Sequence, residues 1–267
     1  MDAALAALLD ENLIAAAREF ARWQPDAVCL DAGGMLAIAG TTPFPVGYAN
    51  CALRTDRALA PAAFLERAAE FFEPRGRGYT IFVRGAFDAD LEAELERREV
   101  DALVDTPCMV IDTPLGPPAL AAGCELREVA CEADAIVARE VNAEAYQSLG
   151  LPAAETRALY GVPGKLLAAH SLTVLGYRDG VPVSTAMVIF SALVAGVYWV
   201  GTTSGARRSG LAEACTRYVT DAAFARGARA VTLQASPMGA PIYTRLGYRT
   251  FDRLRWYVVP AQTSVRP

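Results

Sequence analysis

The sequence predicts an α/β protein built on a mixed, mostly antiparallel sheet flanked by helices, and three observations lead there. First, "HSLTVLGYR" and "VPVSTAMVIF" flank Asp179–Gly180, a pair suited to the positive φ angles of a type I′ hairpin turn. Second, Leu211, Cys215, Tyr218 and Ala222 repeat at helical spacing between the strand-like runs "LVAGVYWVGTT" and "ARAVTLQAS", the pattern of a parallel crossover. Third, the two halves of the chain repeat a similar order of elements, as two versions of one unit would.

In the first half, a helix over roughly Ala3 to Trp23 precedes strands around Ala27–Asp31, Met35–Ala39 and Val46–Arg54. A second helix starts at Pro61, where proline suits the first helical position, and leads to the strand "GYTIFVR". "DADLEAELERRE" reads as a helix with acids in its first turn and arginines in its last, as the helix dipole favours. "DALVDTPCMVI" closes the half as a strand. "IDTPLGPPALAAG", residues 111 to 123, holds three prolines and two glycines and reads as the linker. The predicted domains are therefore 1–113 and 124–267.

The second half opens with a strand over Glu125–Val129. Helical "ADAIVAREVNAEAYQSLG" follows, with Ile136, Val137 and Val141 on one side and Gly150 and Pro152 ending it. The hairpin and a third strand come next. The helix from Leu211 has Gly227 as its C-terminal cap, "PIYTRLG" makes a short helix closed by Gly247, and "RTFDRLRWYVV" is a last strand.

The 267 residues carry a net charge of −5, which argues against a general nucleic-acid binder. No apolar run reaches the ~18 residues that span a bilayer, and the acidic start "MDAALAALLDEN" differs from a signal peptide. The expected setting is the cytoplasm, without membrane or nucleic-acid partners; a homodimer is left open. Six cysteines without a CxxC pair and one histidine do not suggest a metal site.

The stretch "GARRSGLAEACTRYV", residues 205 to 219, carries the chemistry. A strand delivers the chain to a loop and the loop to a helix start, where Gly205 and Gly210 allow close backbone approach. The first amides of a helix lack internal partners and cradle anions, and Arg207 and Arg208 add charge suited to phosphate. A plain solvated helix start remains the alternative.

Arg207-x-x-Gly210-x-Ala212 resembles the Arg/Gln-x-x-Gly-x-Gly/Ala signature of the GCN5-related N-acetyltransferases. Ile242-Tyr243-x-x-x-Gly247-Tyr248 resembles that family's C-terminal motif. The resemblance runs from about residue 171 to 259, and plausibly from 125. It implies tandem acyl-CoA N-acyltransferase-like units, with acetyl-CoA as co-substrate and a small-molecule or peptide amine as acceptor. By resemblance, the backbone amides of Arg207, Arg208, Ser209, Gly210, Leu211 and Ala212 hold the pyrophosphate, and free backbone groups of Val200, Gly201 and Thr202 on a splayed strand hold the pantetheine arm. The Val200 amide polarises the thioester carbonyl, and Tyr243 hydrogen-bonds or protonates the leaving thiolate. Ser236 stands where the family usually has an asparagine.

No base is evident. Tyr198 and Trp199 stand where some relatives carry a carboxylate; Glu140, Glu144, Glu155 and His170 are the candidates. In the first half, Arg75-x-x-Gly78 precedes a strand, "RTDRALAP" lacks a glycine, and Leu95 falls at the tyrosine position, so this half reads as degenerate, completing the acceptor cleft or stabilising its partner. Two other functions stay open: a non-catalytic acyl-CoA sensor, and a transferase for a larger acyl group.

Overall fold

The computed structural model describes residues 2–261. In the first half, helix α1 (Ala3–Arg22) precedes β1 (Val28–Ala32), β2 (Met35–Ala39) and β3 (Asn50–Arg54). Helix α2 (Pro61–Phe72), β4 (Tyr79–Arg84), α3 (Ala89–Arg97) and β5 (Ala102–Ile111) follow. The second half contains β6 (Cys124–Glu128), α4 (Glu132–Ala145), α5 (Ala153–Leu159), β7 (Ser171–Arg178), β8 (Val181–Ser191) and β9 (Val194–Thr202). Helix α6 (Leu211–Ala225), β10 (Ala230–Gln234), α7 (Ala240–Arg245) and β11 (Arg249–Val259) complete it.

Among the described residues, the eleven strands form one sheet in the order β1-β2-β3-β4-β11-β5-β10-β9-β8-β7-β6. Neighbours are antiparallel except at β3/β4 and β9/β10. Outward from the β11–β5 seam, the order on one side is β4-β3-β2-β1 and on the other β10-β9-β8-β7, with the parallel pair at the same place in each. The two halves are thus versions of one unit, but with their closing strands exchanged. β5 pairs with β10 of the second half, and β11 pairs with β4 of the first. Between them β5 and β11 form the longest ladder across the seam, from Arg249↔Val110 to Tyr257↔Ala102.

Helix α1 ties the halves together a second time. Asp2 caps it by accepting the Leu5 amide at 2.7 Å. Fully buried Asn12 donates from Nδ2 to the Ile189 carbonyl (3.1 Å) and Ser191 Oγ (2.7 Å), and its Oδ1 accepts from the Tyr198 hydroxyl (2.9 Å). Gly196 makes room for this contact, because a Cβ there would lie 2.0 Å from Asn12 Oδ1. Phe20 and Trp23, both with no exposed surface, pack with Trp199 and Met187, burial worth roughly 2 kcal/mol for each ring. Residues 112–123 form no helix or strand and lie along α6: the Leu115 amide donates to Asp221, and its carbonyl accepts from Arg217 at 2.8 Å.

Three local expectations are corrected. The third strand begins at Asn50, not Val46, because Gly47 at φ +84° opens a 3₁₀ turn over Gly47–Ala49. The helix expected to run to Gly150 breaks at Ala145 and tightens into a 3₁₀ turn over Tyr146–Leu149. Its buried face is Ala135, Ala138, Val141, Asn142 and Ala145, small residues that admit close packing, which leaves Ile136 exposed.

Candidate active site

Strands β9 and β10 pair only from Val194↔Ala230 to Gly196↔Thr232. Beyond Thr232, β10 stays paired with β5 alone, the Ala235 amide donating to the Pro107 carbonyl at 3.0 Å. The far end of β9 therefore has no strand partner on that side. It also carries a bulge: the register with β8 steps from Met187↔Tyr198 to Thr185↔Gly201, and Trp199 adopts φ +51°. A non-glycine residue held in this region is backbone strain of the kind that gathers at functional sites.

The splay opens a cleft of about 570 Å³. Val200, Gly201 and Thr202 form one wall, and the loop from Arg207 through Arg208, Ser209 and Gly210 to Leu211 and Ala212 forms another. Ser236 and Tyr243 face them. These eleven residues thus line one cavity, while Gly205 and the candidate bases Glu140, Glu144, Glu155 and His170 do not.

The loop is shaped for an anion. Arg208 at φ +62° and Gly210 at φ +81° turn the chain sharply into α6, whose first intrahelical bond runs from the Ala214 amide to the Gly210 carbonyl. The amides before it are left without helix partners, and the helix dipole adds partial positive charge at that end. Ser209 Oγ is sealed from solvent and has no hydrogen-bond partner among the described residues. Arg207 is held across the cleft mouth by its bond to Ser148 Oγ, 2.6 Å.

Tyr243 sits on α7, whose entry is built by Ser236: its Oγ accepts the Gly239 amide at 3.1 Å. That leaves the Ser236 hydroxyl proton free for another acceptor. The Tyr243 side chain is buried among Leu246, Tyr248 and the core of the second half, and burial raises its pKa above the ordinary phenol value. A phenol that keeps its proton is a hydrogen-bond donor.

Tyr146, Ser148, Leu149, Met238 and Arg245 also line the cleft and were not singled out from the sequence. Their one signal was position, after the helix or beside the tyrosine motif. Among the candidate bases, Glu140 pairs with Arg139 and Arg157 on the surface, which keep its carboxyl below the ordinary range despite partial burial. Glu144 accepts the Ser204 amide and hydroxyl at 3.0 Å, beside the anion loop. His170 Nε2 pairs with Glu19 at 2.9 Å, and the residue lines neither this cleft nor its neighbour. Glu155 lines that neighbour, a pocket of about 160 Å³ that shares Tyr146 and Leu149 with the cleft.

The matching place in the first half is filled. Beyond Leu53↔Phe82, β3 and β4 also separate. Here Arg54, with no exposed surface, donates to Asp88 at 3.0 Å and to Asp90, while Arg84 donates to Asp88 at 2.8 Å and to the Arg54 carbonyl. Arg75 sits over the Phe71 ring (4.2 Å) ahead of β4, and Leu95 is buried in the core. Among the described residues, no helix is long and apolar enough to cross a membrane, and no cluster of three His, Cys, Asp or Glu side chains is placed to hold a metal.

Solved structures share this architecture. A GCN5-related N-acetyltransferase from Kribbella flavida is 25% identical, with a TM-score of 0.71 over 93% of this chain and 95% of that one. One from Sphaerobacter thermophilus is 18% identical, with a TM-score of 0.64 over 89% and 84%. A tandem protein of the same family from the clavulanic acid biosynthesis pathway is 15% identical, with a TM-score of 0.61 over 90% and 85%. No protein-family model and no curated protein sequence matches. The chain resembles GCN5-related N-acetyltransferases over most of its length, and its fold is theirs in the tandem arrangement.

Proposed function

We propose that the chain is an N-acetyltransferase that uses acetyl-CoA as co-substrate at the β9–α6–α7 cleft. The carrying observation is convergence: the unpaired end of β9, the start of α6 and Tyr243 all open onto one cavity. The residues fit the co-substrate, since the free amides of the Gly210 turn, the orphaned Ser209 hydroxyl and Arg207 suit a pyrophosphate. The backbone of Val200, Gly201 and Thr202 would hold the pantetheine arm.

Acetyl-CoA supplies the activated acyl carbon: a neutral amine attacks it, the C–N bond forms, the C–S bond breaks, the nitrogen's proton goes to water and the thiolate is protonated from water. The Val200 amide stabilises negative charge developing on the carbonyl oxygen. The Tyr243 hydroxyl donates to the departing sulfur. Residues 124–267 would carry the chemistry, and residues 1–113 would supply walls rather than a second cofactor site.

Calorimetry with acetyl-CoA, followed by free-thiol release over a panel of amines, tests the reading. Micromolar binding with turnover of at least one amine supports it. Absence of binding overturns it, and binding without turnover on any amine would favour an acyl-CoA sensor.

A further inference from the structure

The pocket beside the cleft is walled by both halves of the chain. Phe44 and Tyr48 come from the first half, Tyr198 and Trp199 from β9, and Trp256 from the exchanged strand β11. These rings are locked from behind: Tyr48 packs on Phe82 (4.9 Å), Trp256 on Phe82 (5.2 Å) and Trp199 on Tyr160 (5.2 Å). The loop carrying Phe44 is stapled by Asn50, whose Nδ2 donates to the carbonyls of Thr42 (2.8 Å) and Phe44 (2.7 Å). This cavity is preformed.

Two polar features sit in this apolar shell. Glu155, which accepts from the Thr42 hydroxyl, is the one charged side chain among the described residues lining the pocket. The Trp256 indole N–H is sealed from solvent and lacks an acceptor among the described residues; of an entering aryl group, only the ring face could meet it, as a weak N–H···π contact. Aromatic walls suit a flat ring, and the lone carboxylate among them favours a ligand that also carries positive charge. The volume, about 160 Å³, compares with the ~150 Å³ apolar cavity that holds one benzene ring.

Resting on the transferase reading above, we infer that the acceptor is an arylalkylamine, a primary amine joined to a single aromatic ring by a short alkyl chain. The ring occupies the Tyr48–Trp199–Trp256 pocket. The chain passes Tyr146 and Leu149, which border both cavities, and delivers the nitrogen to Val200. The amine arrives as a cation drawn by Glu155 and gives one proton to water before attack.

The test is calorimetric titration of the full chain with 2-phenylethylamine and n-butylamine, with and without saturating CoA. The ring-bearing amine should bind about tenfold more tightly or better, and Val46→Trp, which puts an indole into the pocket, should erase that preference while leaving CoA affinity within about twofold. Equal affinities in the unmodified chain overturn the inference, as does a preference that survives Val46→Trp in a protein that still binds CoA. If the unmodified chain binds no CoA, the transferase reading falls, and the amine titration without CoA still decides whether the pocket takes a ring.

Discussion

Gly239 and Tyr243 are in contact at the turn into α7: a Cβ added at 239 would lie 2.7 Å from Tyr243 Cε2 and 3.3 Å from Ser236 Oγ. The backbone at 239 is helical, φ −81°, so alanine meets no conformational penalty there. Gly239→Ala should act only by pushing the phenol ring. We expect kcat to fall about tenfold with CoA affinity nearly unchanged; steady-state kinetics beside calorimetry check it, and full activity would free Tyr243 from any need for exact placement.

Tyr243→Phe removes the hydroxyl and keeps the ring. The loss of one donor to the leaving sulfur should lower kcat by about ten- to a hundredfold at unaltered CoA affinity. A fully active variant removes Tyr243 from the mechanism.

Arg207→Glu reverses charge at the mouth of the anion loop and breaks the bond to Ser148. CoA affinity should fall about tenfold or more at low salt and less at high salt, because exposed charges are screened. Salt-dependent calorimetry reads both; an unchanged Kd would take the loop out of phosphate binding.

Asp88 is completely buried and accepts from both Arg54 and Arg84. Asp88→Ala removes one charged acceptor from each of two buried guanidinium groups, leaving Arg54 with Asp90 and Arg84 with Asp10, and should cost about 1.5–3 kcal/mol in urea unfolding. Because these arginines occupy the splay between β3 and β4, CoA should bind the unmodified chain at one site, not two. A stoichiometry of two measured by calorimetry would contradict the filled cleft.

Burial raises the pKa of Tyr48, Tyr146, Tyr160, Tyr198, Tyr243 and Tyr248 above the ordinary phenol value of about 10. The unfolded chain releases these protons near pH 10 while the folded chain keeps them. Stability is therefore complete below that pH and declines as pH rises above it. Thermal unfolding from pH 8 to 11.5 should show a falling Tm from about pH 10, with tyrosinate absorbance appearing together with unfolding rather than before it.

Much of the β9–α6–α7 cleft was legible because its parts are local. A glycine needing positive φ, arginines before a helix start and a tyrosine one strand later are written in short windows of sequence, and they meet in one cavity. The ring pocket was not legible. Phe44 and Trp256 are far apart in the chain and come together only because β11 joins the first half's sheet, a pairing that no local periodicity encodes. Ile136 misled for a related reason: apolar spacing marks a helix, but which face is buried depends on how close its neighbours can come. His170 carried no sign of Glu19, which lies on α1 and approaches it only in the folded chain.

The exchange of β5 and β11 also orders events in time. A ribosome releases the first half long before the strand that closes its sheet. Until Arg249–Val259 emerges, β4 has an open edge on one side and β5 waits for β10, so each half is an unfinished sheet with exposed backbone. β11, made after β10, completes the unit begun first, and the ring pocket, which needs Trp256, comes into being only then. Cutting the chain within residues 114–121 should accordingly yield two fragments that are each incomplete and that recover a folded state only in one another's presence.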